Sequence, residues 1–403
     1  MKYHLGRTYG FRLLLEPRVQ LAAVVVTLAV VLLFRALQFA AFTTQDQWGY
    51  DFSAYWLAGR HLLDGLPIYT AQQLAGPYPP QQQYLYLYPP FLAVIAAPLA
   101  AVFDDYRHAA WIWSAVGALV AIAAVVGVAR AEGMRQRRQL FLLVAATFAL
   151  PAVIAELVLG NVHVLLLGLL GLAWLGVRIG APRGEVLAGA AVGVAALIKI
   201  FPAALVLWFV LTGRWRAALA AGATVAILAM VTLPFTGLQA WLDYPIVLAN
   251  LGPPPGKADA LAPTVWLTEV TSFTVARVLV TAGGLAILIW SSRRQATAIS
   301  FGVAVMVSLL VAPALYHTYL SLTVLPFLLA MSHLGVGPAL AFSYLAMFGG
   351  EQPALGDLAW IVSRGLPTLG ALGVLSVLLT ARSDQAAERA TPERAATTSA
   401  PSS

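Results

Sequence analysis

The sequence contains no cysteine. That excludes a disulfide framework, a thiolate nucleophile and a cysteine-based metal site, and it leaves the redox compartment unread. Charge is almost as scarce: 10% of the 403 residues are Asp, Glu, Lys or Arg, against 60% hydrophobic. With a mean hydropathy of +0.82, the chain has too little polar surface for a soluble domain and reads as an all-α polytopic membrane protein. It also lacks an internal repeat at a useful period. The net charge of +7 does not point to nucleic acid, because the arginines sit between hydrophobic runs, where they orient helices across the bilayer.

The first hydrophobic run, residues 19–42, follows Lys2, Arg7, Arg12 and Arg18. At about 24 residues it can span with some tilt. Its basic flank sets the N-terminus inside, and its length marks an uncleaved anchor rather than a secretory signal. Residues 91–103 are too few to cross a ~30 Å hydrocarbon core and read as a juxtamembrane or re-entrant helix on the outer side. With that choice 109–129 runs inward and delivers Arg130, Arg135, Arg137 and Arg138 to the cytoplasm; a full crossing by 91–103 would strand all of them outside. Residues 140–157 then go out and 162–177 return to Arg178 and Arg183.

Residues 185–212 have Arg183 before them and Arg214 and Arg216 after them, so both ends belong inside and the segment is a hairpin. At 1.5 Å per residue, about 27 residues cannot make two full crossings. Two short helices meeting at Lys199, Ile200, Phe201 and Pro202 fit, and irregular backbone at that depth is tolerated only beside protein or a wet cavity. Residues 217–234 run outward. Residues 235–272 are expected as a second outer loop whose Gly-Pro-rich middle (Pro253, Pro254, Pro255) is irregular. Residues 273–290 return to Arg293 and Arg294, 297–312 go out, and 318–331 come back. A shorter pair, 336–349 and 360–380, precedes a tail, 381–403, that reads as a disordered cytoplasmic end. Residues 1–380 are thus expected to form one transmembrane domain with outer loops at 43–108 and 235–272.

This threading uses the arginines, yet it brings Asp46, Asp51, Glu156, Asn161, His163, Lys199, Tyr316 and His317 to or near one outer face. An ionisable cluster at a membrane face is a functional-site candidate. Each member also has a plainer reading. Asp46 and Asp51 could be solvated loop or helix-cap residues. Glu156 could pair with a neighbour or reach water, and His317 could be satisfied by a backbone carbonyl. The cluster Tyr84, Tyr86, Tyr88, Pro89, Pro90 could be an aromatic belt. Lys199 could snorkel, but it lies between Ala195-Ala196-Leu197-Ile198 and Ile200-Phe201-Pro202 with no acidic residue nearby in sequence. A lone ammonium there is costly without an anionic partner.

The order Asp51-Phe52, Tyr55-Trp56, Ala58, Gly65-Leu66-Pro67-Ile68-Tyr69, Tyr88-Pro89-Pro90 and Pro98-Leu99 resembles the first outer loop of the polyprenyl-phosphate-mannose-dependent mannosyltransferases of glycosyltransferase family 87, which have GT-C architecture. Gly160-Asn161-Val162-His163 is similar to the family's Gly-Gln-x-Asn element. GAAVGVAALIKIFP (189–202), followed by Gly213-Arg214-Trp215, is similar to its Gly-x-x-x-Gly, Lys-x-x-Pro and Arg-Trp pattern. Ala312-Pro313-Ala314-Leu315-Tyr316-His317 resembles its Ser-Pro-x-x-Trp-x-His segment. The resemblance runs from about Asp51 to Pro326. Two departures stand out: His163 occupies a position where Asn is usual, and Tyr316-His317 replaces a longer Trp-His spacing.

The resemblance implies a GT-C multi-helix bundle with juxtamembrane helices in its first outer loop. It further implies an inverting enzyme that takes a sugar, mannose above all, from a polyprenyl-phosphate donor and passes it to a lipid or glycan acceptor at the periplasmic face of the inner membrane. Such chemistry needs a carboxylate base and positive groups at the leaving phosphate. Asp51 is the expected base, with Asp46 second. Lys199, His317 and Tyr316 are expected at the donor phosphate, and Tyr55, Trp56, Tyr88, Glu156, Asn161 and His163 at the substrates. No metal, other cofactor or nucleic-acid partner is expected. A lipid or solute transporter and a non-catalytic assembly protein are the rival classes. The first lacks the paired discontinuous helices that inverted repeats would show; Asp51→Asn would separate both from an enzyme.

Overall fold

The computed structural model describes residues 17–79, 83–252, 261–312, 314–349 and 365–381. Among them every regular element is helical, apart from one isolated bridge between Tyr78 and Leu251. The chain opens with α1 (Pro17–Phe42), followed by α2 (Tyr50–Leu63), the short α3 (Ala71–Ala75) and α4 (Pro90–Val102). Next come α5 (Tyr106–Ala131), α6 (Arg137–Ala149), α7 (Pro151–Leu159), α8 (His163–Ile179) and α9 (Pro182–Ile198). A 3-10 turn, Phe201–Ala203, leads into α10 (Ala204–Leu211) and the long α11 (Trp215–Asn250). The remainder is α12 (Pro263–Leu267), α13 (Phe273–Arg294), α14 (Thr297–Leu310), a 3-10 turn His317–Thr323, α15 (Val324–Leu334), α16 (Pro338–Ala346) and α17 (Leu366–Thr380).

Helices α1, α5, α11 and α13 are each long and apolar enough to cross a membrane, and α6 with α7 makes a fifth candidate bent by 65°. Their outward faces carry Val26, Leu33, Leu37, Leu219, Ile227 and Met230, all exposed, which suits lipid and not water. The centre is filled by Leu166, Leu170, Trp174, Trp208, Phe209 and Phe301, all buried.

Several spans are broken where the sequence read them as continuous. Residues 140–157 divide at Pro151, which has no N–H and forces Leu150 into extended geometry (φ −64°, ψ 127°). The Ala149 carbonyl freed by the break is taken by the buried Arg35 of α1 at 3.1 Å. Residues 318–331 are not one helix either, but a 3-10 turn running into α15. The expected outer loop 235–272 is largely helical at its start: α11 runs past Pro234 to a break at Gly237, whose backbone is not helical (φ 71°, ψ 159°), and a second helical half follows to Asn250. Gly237 can take that positive φ at no steric cost, so the chain turns there between the two helical halves of α11. The Gly-Pro-rich middle of that loop, 253–260, and the tail from 382 lie outside the described residues.

The hairpin expected at 185–212 is present. Lys199 leaves α9 in extended geometry (φ −153°, ψ 135°), the 3-10 turn reverses the chain, and Arg214 returns to within 3.9 Å of Glu185. Close packing of α9 on α11 depends on two glycines. A β-carbon on Gly189 would overlap the Ala217 carbonyl oxygen, and one on Gly193 would come within 2.7 Å of the Ala221 carbonyl. Residues 91–103 form the short α4, which lies on α2; there Gly59 meets the Ala97 backbone so closely that a β-carbon would stand 2.8 Å from its nitrogen. The Arg60 guanidinium donates to the Ala100 carbonyl across the same contact (2.8 Å).

These contacts sort the helix ends into two sets. One holds the α1–α2 junction, the α7–α8 turn, Lys199 and the turn at His317–Thr323. The other gathers Glu132 at the end of α5, Arg178 at the end of α8 and His333 at the end of α15, joined around the Glu132 carboxylate at 2.8–3.4 Å. The Arg214–Glu185 pair lies at this second end as well.

Candidate functional site

Gly49, in left-handed geometry (φ 68°), starts α2 and donates its N–H to the Val158 carbonyl of α7 at 2.8 Å. Asp51 therefore sits in the first turn of α2, where the helix dipole favours a negative charge, beside the end of α7. Helix α7 stops at Gly160 (φ 67°), whose missing side chain lets the turn press on α2; a β-carbon there would lie 2.6 Å from that of Phe52.

That tight turn orients two side chains in opposite directions. The Asn161 oxygen accepts from Val162 N (2.7 Å) and from the Tyr55 hydroxyl (3.3 Å), so its amide nitrogen faces outward and donates to Asp51 Oδ2 at 2.6 Å. Two residues on, His163 Nδ1 lies 2.6 Å from Glu156 Oε1, while Glu156 Oε2 accepts the backbone N–H groups of His163 and Val164 at 2.8 and 3.3 Å. Those N–H groups belong to the unpaired first turn of α8, so Glu156 acts as its cap. The far nitrogen of the same ring, Nε2, is 3.0 Å from Lys199 Nζ.

Lys199 is further enclosed by aromatic faces. Its ammonium lies 4.0 Å from the Tyr319 ring centre and 5.3 Å from that of Tyr88, and Tyr319 in turn packs on His163 at 3.9 Å. Cation–π contacts of this kind contribute about 0.5–2 kcal/mol each. The anionic partner expected for Lys199 is not in direct contact; His163 is. Asp51 nonetheless feels the ammonium. Burial pushes its carboxyl up to about 6, against the lowering pull of Lys199 and of the Asn161 hydrogen bond. The Tyr55 and Tyr88 phenols, 3.0 Å apart, are held protonated, pushed well above their ordinary range chiefly by burial.

Asp51, Tyr55, Tyr88, Glu156, Asn161, His163 and Lys199 are thus one connected set. Tyr316 joins it through Tyr319, ring centres 5.9 Å apart, and His317 opens the same 3-10 turn. Two expected residues stand apart. Asp46 is fully exposed and 3.8 Å from Arg107, because the turn before α2 carries it to the surface. Trp56 faces the other side of α2, where its indole N–H holds the Phe103 carbonyl at 3.1 Å. Tyr319 and Trp113, whose indole reaches the Asn161 carbonyl at 3.4 Å, were missed by sequence reasoning. A lysine with no acidic neighbour is a signal for aromatic faces, and could have led to Tyr319.

Among the described residues no group of three or more His, Asp or Glu side chains is arranged to hold a metal ion. A cavity of ≈470 Å³ lies beside this cluster and not in it. It lies between α1, α5 and α7, is nearly all apolar, and is lined by Leu32, Phe39, Trp111, Ala115 and Leu157, with Arg35 and Ser114 its polar groups. Leu157 follows Glu156 directly, so cavity and cluster flank the same helix.

A model of glycosyltransferase family 87 matches residues 86–313, more than half of the chain. The chain belongs to glycosyltransferase family 87. No curated protein and no solved structure matches it. As a family 87 glycosyltransferase it is an enzyme, and the transporter and scaffold readings fall away. The matched span includes Tyr88, Glu156, Asn161, His163 and Lys199; it begins after Asp51 and ends before Tyr316 and His317.

Proposed function

We propose that the protein transfers a sugar, most simply mannose, with inversion, from a polyprenyl-phosphate donor to a hydroxyl of a lipid or glycan acceptor at the extracytoplasmic face of the membrane. The observation that carries this reading is that a partly buried carboxylate, Asp51, and a lone ammonium, Lys199, converge on the same turn, the first held by Asn161 and the second by His163. Asp51 takes the proton of the acceptor hydroxyl as its oxygen attacks the anomeric carbon. The bond from that carbon to the phosphate oxygen breaks, and the electron pair leaves with the polyprenyl phosphate, whose charge Lys199 offsets. Tyr316 and His317 assist at the phosphate, and Tyr55 and Tyr88 shape the sugar side. The apolar cavity beside α7 suits an isoprenoid tail, and the arginine-bearing helix ends, at the opposite end from Asp51, suit the cytoplasmic side.

The test incubates membranes containing the protein with labelled polyprenyl-phosphate-mannose and compares wild type with Asp51→Asn. Loss of label transfer by about 10²–10⁴-fold, the usual worth of a general base, with normal insertion is expected. Equal transfer by the two proteins would remove Asp51 as base, and no transfer by wild type would remove the donor.

A further inference from the structure

We propose that Glu156 and His163 are positioning residues that fix the direction of the Lys199 ammonium, rather than groups that touch substrate. The inference rests on the reading of Lys199 as the donor-phosphate group. Lys199 departs from α9 in extended backbone, so no helix holds its side chain in register. What holds it is His163 Nε2 at 3.0 Å and the face of Tyr319. An ammonium can only donate, so Nε2 must be the ring's acceptor and Nδ1 must carry the hydrogen. Nδ1 faces Glu156 Oε1 at 2.6 Å, and Glu156 Oε2 is anchored by the N–H groups of His163 and Val164. Glu156 therefore sets the tautomer, the tautomer makes Nε2 an acceptor, and the acceptor aims the ammonium. Both Glu156 and His163 are fully buried, out of reach of substrate but in contact with a residue that is not fully buried. A packing pair alone would have no need to end on a cation.

Glu156→Gln is the informative change. The amide still accepts the two backbone N–H groups through its oxygen, but its nitrogen presents hydrogens to Nδ1. The ring then carries its hydrogen on Nε2, facing the ammonium. With labelled polyprenyl-phosphate-mannose as the probe, the donor KM is expected to rise about tenfold or more, as for a lost charge-assisted hydrogen bond, with acceptor KM unchanged. In a Lys199→Met background the same substitution should add nothing. His163→Gln supplies a second cycle should Glu156→Gln not assemble, and ¹⁵N-histidine spectra of the wild-type protein should show His163 with hydrogen on Nδ1 alone. Additive losses in the double variants, an unchanged donor KM in Glu156→Gln, or a mixed His163 tautomer would overturn the positioning role. If Lys199→Met itself leaves donor KM unchanged, the phosphate role of Lys199 falls instead.

Discussion

At the residue scale, the catalytic reading places opposing demands on Asp51. Its carboxyl works as a base only when ionised, and burial raises it to about 6 from an ordinary value near 3.8. Turnover should therefore fall as pH drops through about 6, and this acid limb should be absent from the residual activity of Asp51→Asn; a pH profile of kcat/KM checks both. The stability effect has the other sign. A carboxyl raised by folding contributes stability that is full below its unfolded value and declines as pH rises through the folded one. At neutral pH, Asp51→Asn should thus unfold at the same or a higher temperature than wild type while losing transfer, which a thermal shift measurement can read. Lys199→Met should cost about 10²–10³-fold in transfer, the scale of one electrostatic stabiliser at a leaving group. Of these two residues, Lys199 was legible from its apolar neighbours. The pairing of Asp51 with Asn161 was not, because it joins residues far apart along the chain.

At the element scale, the α9–α10 hairpin brings Lys199 to the site, and its register depends on how closely α9 lies on α11. Gly189→Leu would drive a side chain into the Ala217 backbone and should cost about 1–3 kcal/mol or more. Gly222→Ala, on α11 but facing open space, is the control and should be near neutral. Detergent-solubilised thermal unfolding distinguishes the two. The hairpin was readable from flanking arginines and from a length too short for two crossings. The break at Pro151 was also written in the chain, since proline lacks the N–H a helix needs. The second helical half of α11, beyond Gly237, was not. Proline and glycine mark a bend as readily as an end, and packing partners decide between them; here Tyr78 and Asn250 tie the far half of α11 to the first outer loop, at 2.6 Å to the Val247 carbonyl and 3.0 Å to the Gln73 carbonyl.

At the scale of the whole molecule, the polar cluster and the arginine-rich turns occupy opposite ends. The native absence of cysteine makes sidedness directly measurable. Asp46→Cys, exposed beside the site, should react with a membrane-impermeant maleimide in intact cells, while Arg293→Cys should react only after permeabilisation; the reverse pattern would put the site in the cytoplasm. Filling the apolar cavity with Ala115→Trp should raise the donor KM with little change in acceptor KM if the isoprenoid tail lies there.

What the sequence alone determined is what composition and local spacing can carry: an all-α membrane protein, a short helix at 91–103, a broken hairpin at Lys199, and family membership through motifs in order. Lipid as solvent leaves few charged residues, so each one that remains is conspicuous. Only the tertiary structure decided which of them meet. It set Asp46 and Trp56 on other faces of the α1–α2 region, because a single glycine turn and a helical period of 3.6 residues separate them from Asp51. It also joined Glu156, His163 and Lys199 through three helices whose mutual approach depends on side-chain volume and not on local pattern.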